Sequence, residues 1–146
     1  MLKEIIQKAI FAARELPQVE TMTNHYFANG MYAREVFMPA GQFAIGRAHK
    51  LEHFFMLTKG KIQVATEGGY EIFTAPSIVV SKPGDQRALF ILEDAVCVAI
   101  HRTDKTNLDE IVEEVTEPCP LSMYDAHNTL IDPLLNEQKK ALWLTT

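Results

Sequence analysis

Residues 41–60 read GQFAIGRAHKLEHFFMLTKG, and the way this stretch folds decides the rest of the chain. His49 and His53 lie four residues apart, with Glu52 beside the second. Taken literally the run contains H-x-x-E-H, a zinc-protease motif that works only on a helix, where residues four apart share a face. The surroundings oppose a helix. Gly41 and Gly46 precede or interrupt the run, Gly60 follows it, and the next residues, KIQVAT, are strand-forming in type. On a strand, positions of equal parity share a face. Arg47, His49, Leu51, His53 and Phe55 then line one side, and Glu52 points to the other. The protease reading loses its general base and is set aside.

Working outward, the same strand texture continues in both directions. Gly30 precedes MYAREVFM, a strand with Tyr32, Arg34, Val36 and Met38 on one face, and Pro39-Ala40-Gly41 makes a turn. Downstream, residues 61–66 continue or pair with the central strand, and Glu67-Gly68-Gly69 makes a hairpin turn. Residues 70–74 and 77–81 are strands separated by Ala75-Pro76. After the Pro83-Gly84 turn, residues 87–92 and 95–101 read as a hairpin around Glu93-Asp94. Short strands spaced by turns every 8–12 residues predict a β-sandwich or barrel.

The flanks differ. Residues 2–16 read as an amphipathic helix, with Leu2, Ile5, Ile6, Ala9, Ile10, Ala13 and Leu16 on one stripe and Pro17 as its stop. It is expected to pack outside the barrel or on a partner subunit. Residues 21–28 form a loop or short strand, and His25 within it reads as a solvated or structural residue. Asn107 or Asp104 caps a helix over residues 108–115, which Pro118 and Pro120 end. The tail, residues 124–146, has no strand pattern. Its Leu130, Ile131, Leu134, Leu135, Leu142, Trp143 and Leu144 predict docking on the barrel or on a neighbouring subunit.

Composition narrows the function classes. At 146 residues the chain is one domain with room for its own core, and 47% hydrophobic with 23% charged residues is ordinary for a soluble globular protein. A net charge of −5 argues against a nucleic-acid-binding surface. No apolar run approaches the ~20 residues that span a bilayer, and residues 1–16 have no long apolar stretch of the secretory kind. A cytoplasmic location is expected. Cys97 and Cys119 lack metal-type spacing, a disulfide between them is not expected there, and Cys97 reads as a small buried hydrophobe.

The stretch resembles the first motif of the cupin superfamily, G-x5-H-x-H-x3,4-E-x6-G. Gly41 opens it and Gly60 closes it; Arg47 stands at the first histidine position, His49 at the second and His53 at the glutamate. Residues 81–87, SKPGDQR, are similar to the second motif, G-x5-P-x-G-x2-H-x3-N, with Arg87 at the histidine position and Ile91 at the asparagine. The resemblance covers residues 30–103, about half the chain. The wider sequence resembles small cupins of bacteriophages and prophages. The resemblance implies a mainly β protein, a single cupin jelly-roll barrel at about residues 30–103. An N-terminal helix (1–17) and a C-terminal helix plus tail (104–146) flank it. It also implies a homodimer, since cupins commonly pair, and the host cytoplasm if the chain is phage-encoded.

Cupin metals are held by imidazoles and a carboxylate with open positions left for substrate. His49 and His53 can supply two imidazoles from one face, and His101, at the end of a later strand, is the third candidate. The ion expected is a single divalent one, zinc, iron, manganese or nickel. Arg47 and Arg87 bring positive charge to the same region and suit an anionic small molecule, since a guanidinium grips carboxylate or phosphate through two parallel hydrogen bonds. Tyr32 is a further candidate for the ligand-binding set. Three readings stand: a metal cupin, a metal-free cupin that binds an anion, and a structural or interaction module whose polar interior only satisfies itself.

Overall fold

A computed structural model describes residues 2–132. In order the chain forms α1 (Leu2–Arg14), β1 (Met22–Ala28), β2 (Met31–Met38), β3 (Phe43–Ile45) and β4 (His53–Thr66). β5 (Gly69–Thr74), β6 (Ser77–Ser81), β7 (Ala88–Arg102) and α2 (Leu108–Val115) follow. All pairings are antiparallel.

β4 and β7 are long enough to serve two layers. The last half of β7 lies between β2 and the first residues of β4, which also pair with β6. The first residues of β7 lie between β3 and the last half of β4, which pairs with β5. The ladder between β4 and β7 shifts register around residues 57–62, where the pair passes from one layer to the other. Gly60 sits there at φ +86°, and a Cβ on it would lie 2.3 Å from the Asp94 carbonyl oxygen. The outcome is the jelly-roll sandwich expected from the strand spacing.

The core fills from both layers. Leu57, Ile62, Ile91, Ala95 and Cys97 are buried together with Met38, Val64 and Leu89. Inward positions recur at every second residue, as a strand with one covered face requires. A second cluster joins Tyr32 of β2 to Ile111 and Val115 of α2. The helix thereby covers one end of the sandwich. Asn107 caps it, its side chain accepting from the Glu110 backbone N–H at 3.1 Å.

Three details differ from the sequence reading, and one lies outside what is described. The central stretch is not one strand: after β3 the backbone runs irregularly, bends at Lys50-Leu51, and re-enters the sheet at His53. No hairpin forms at Glu93-Asp94; β7 runs through it, with Glu93 opposite Lys61 and Asp94 accepting from the Ala40 backbone N–H at 2.9 Å. Residues 22–28 are a full strand paired along β2. Finally, Leu134, Leu135, Leu142, Trp143 and Leu144 lie outside the described residues. Among the described residues no helix is long and apolar enough to cross a membrane.

Candidate metal centre

Three elements deliver the three histidines to one point. His101 is near the end of β7, opposite Tyr32 of β2. His53 opens β4, opposite Ser81 of β6. His49 belongs to no strand; it is held by a single bridge to Thr116, just past α2. Around it, Lys50 N–H donates to Val115 O and Glu117 N–H to Ala48 O, each at 2.8 Å. The ring centroids of His49, His53 and His101 are 4.2–5.0 Å apart. One nitrogen from each lies within 4.8 Å of the other two.

Local hydrogen bonds orient two of the rings. A backbone carbonyl can only accept, so the His53 Nδ1 that lies 3.2 Å from Leu51 O carries the proton and leaves Nε2 a free lone pair. The His49 ring donates likewise to the Arg47 carbonyl. His101 stacks on Tyr32, whose hydroxyl lies 2.7 Å from His25 Nδ1. The residues fit a metal. Zinc keeps nitrogen ligands at about 2.0–2.1 Å, so two of them are at most about 4 Å apart. Small ring rotations close the observed spread.

The site is electropositive and poorly hydrated. Burial first, then His53, Arg34 and Arg87, hold His49 at a pKa of about 4 against partial support from the Arg47 carbonyl. Burial first, then His49, His53 and Arg34, hold His101 at about 3. Burial also lowers His53. All three imidazoles are neutral near pH 7, the form that binds metal. A base with a depressed folded pKa stays neutral in the native state while the unfolded chain takes the proton. Its contribution to stability is complete above about pH 6.5 and is lost as pH falls toward 4 for His49 and 3 for His101. Chelator-treated protein is therefore expected to lose stability on the order of 3–6 kcal/mol between pH 7 and pH 4. Urea melts across that range read it; an unchanged midpoint would count against neutral buried imidazoles.

The other anticipated residues are distributed differently. Arg87 is at the site: it donates to Ser81 Oγ at 2.7 Å and lies over the Phe55 ring at 4.7 Å. Arg47 turns to the C-terminal segment, donating to Ser122 Oγ at 3.1 Å and Tyr124 O at 3.3 Å. Tyr32 is buried under α2 and backs His101. Glu52 points outward and pairs with Lys82 at 3.2 Å, as parity predicted. Burial pushes the Cys97 thiol up to about 12, which suits a packing role. Two further residues reach the site: Arg34, read from the sequence with Tyr32 as a residue of the barrel mouth or of the surface, and Gln42, which was missed. Arg34 shares the inner face of β2 with Tyr32, and its charge acts on His49 and His101. Gln42 is adjacent to the motif glycine and lines the same cavity. Parity with Tyr32 was the available signal for Arg34; Gln42 had none.

The cavity behind the histidines measures about 350 Å³. Its outer wall is α2 and the strap that follows. Along that strap Arg14 donates to Leu121 O, Tyr124 OH to Gln18 Oε1 at 3.0 Å, and Asn128 to Thr23 Oγ1 at 3.0 Å.

The fold is an antiparallel jelly-roll sandwich with histidines at one end. The chain is similar to a cupin-2 domain protein from Shewanella frigidimarina (12% identity, TM-score 0.48, 59% of this chain and 84% of that one). It is also similar to KdgF from Halomonas sp. (13%, 0.48, 57% and 80%). A third is the DMSP lyase DddQ from Ruegeria pomeroyi (16%, 0.49, 60% of this chain and 49% of that one). No family model matches the chain, and no curated protein matches it in sequence.

Proposed function

We propose that this protein is a small cupin that holds one divalent metal ion on His49, His53 and His101. The observation that carries the reading is the convergence of three neutral imidazoles, one nitrogen of each within 4.8 Å of the others. Imidazole suits zinc, iron, nickel and copper; manganese prefers carboxylate, and among the described residues no carboxylate joins the cluster. When bound, the ion supplies a Lewis acid with open positions. The protein's own residues orient two rings through the Arg47 and Leu51 carbonyls and keep bulk water from the third. Metal analysis of protein purified without chelator, followed by zinc titration, tests this. One equivalent is expected, and no uptake at pH 7.5 would end the reading.

A second reading, a metal-free cupin that binds an anion, is favoured by the guanidinium groups near the histidines. Their charge opposes a cation and attracts an anion. We also propose that the chain is a homodimer of phage or prophage origin, working in the host cytoplasm. Phe54 and its cross-strand neighbour Val80 are exposed with Ile78, which supports pairing with a second copy. Light scattering at ~100 μM should give twice the chain mass, since a micromolar interface is filled there. A monomer at that concentration would remove the dimer from the proposal.

A further inference from the structure

The cavity carries charges and an acceptor that the metal reading does not use. Neither Arg34 nor Arg87 forms an ion pair among the described residues. Two acids line the cavity, Asp85 and Asp125; the Asp85 charge acts on Arg87 without an ion pair, and among the described residues no carboxylate acts on Arg34. Asp85 accepts from the Lys82 N–H at 2.9 Å, and Asp125 accepts from the N–H groups of His127 and Thr129 at 2.9 and 3.0 Å. Cations taken out of water without a counter-charge are costly. For Arg34 that counter-charge is left for something that enters.

A second, independent observation lies further in. Gln42 Oε1 is buried and has no hydrogen-bond partner among the described residues. Such an atom costs free energy until a donor reaches it. The inner face of β2 presents Arg34, then Val36, then Met38, and the turn after Met38 brings in Gln42. From Arg34 to Met38 is four residues, about 13 Å of strand. The wall between is apolar, with Val36, Leu89 and Cys97 facing the cavity.

We infer that the cavity takes a small organic carboxylate with an apolar body, its anionic end on Arg34 and Arg87 and its far end donating a hydrogen bond to Gln42. The planar fork of a guanidinium matches a carboxylate with two parallel bonds, which favours carboxylate over a compact anion. This deepens the cupin reading by naming the ligand class, and it holds with or without the metal.

The test is calorimetric titration of the full chain, chelator-treated and zinc-loaded, with hexanoate, 6-hydroxyhexanoate and inorganic phosphate. Hexanoate is expected to bind and phosphate not. The terminal hydroxyl should tighten binding about fivefold, as one added hydrogen bond does, and Gln42→Leu should remove that gain. Arg34→Met should weaken both carboxylates at least about tenfold, the loss of a charge-assisted pair. Its zinc affinity should be at least that of wild type, since a guanidinium that opposes the cation is gone, and retained zinc uptake also shows that the variant is folded. Arg34→Lys should fall between, keeping charge but not the fork. Zinc uptake without carboxylate binding overturns the inference and leaves the metal centre standing. Carboxylate binding without zinc uptake does the reverse. Hexanoate affinity unchanged by Arg34→Met, hydroxyl preference unchanged by Gln42→Leu, or binding of phosphate alone each overturn it.

Discussion

Zinc titrated into His101→Ala is expected to show no binding in the micromolar range, and His49→Ala the same. Two imidazoles from a three-imidazole set leave the ion two ligands short of a tetrahedral shell rather than one. A loss of at least about 100-fold is expected, beyond the 10–100-fold typical when only a supporting group is removed. Glu52→Ala is the control. Its carboxylate is exposed, bound to Lys82, and directed away from the histidines, so zinc affinity should be unchanged. An equal loss in Glu52→Ala and His49→Ala would mean that Glu52 faces the histidines, as it would on a helical turn through residues 49–53. The supporting carbonyls at Arg47 and Leu51 are main-chain atoms and cannot be deleted by substitution, which confines the test to the rings themselves.

The second large effect is on folding. Gly60→Ala meets two obstacles at once. Its φ of +86° is left-handed, which costs about 1–2 kcal/mol for a residue with a side chain. The new Cβ would also sit 2.3 Å from the Asp94 carbonyl oxygen and 2.8 Å from Ala95 Cα, both backbone atoms that cannot swing aside. Overpacking of that kind adds about 1–3 kcal/mol. Against a stability of about 5–15 kcal/mol, the melting temperature should fall by about 10 °C. Gly68, with open space around its Cβ position, is the comparison, and Gly68→Ala should melt within a few degrees of wild type. If both melt alike, β4 and β7 do not cross as closely as described.

Much of the barrel was legible because turn residues and two-residue alternation are local. The Glu67-Gly68 turn, the break at Ala75-Pro76 and the inner face of β2 follow from neighbours in sequence. The site was legible only in part. Parity put His49 and His53 on one side of a single strand. They do converge, but His49 is set by its bridge to Thr116, a partner far along the chain that no local pattern reveals. Glu93-Asp94 looked like a turn because the pair is polar. In the folded chain it is where β7 leaves one layer for the other, with Asp94 engaged by the Ala40 N–H. Arg47 occupies a ligand position of the motif that the stretch resembles, yet Ser122 and Tyr124, beyond the barrel, draw its side chain off. Motif spacing carries no information about such late segments.

The strap over the cavity also sets how the site is reached. Among its anchors are single hydrogen bonds, from Arg14 to Leu121 O, from Tyr124 to Gln18 and from Asn128 to Thr23, each worth about 1 kcal/mol. Local opening of such a segment costs less than unfolding the β4–β7 core behind it, so an ion or a carboxylate can come and go while the barrel stays intact.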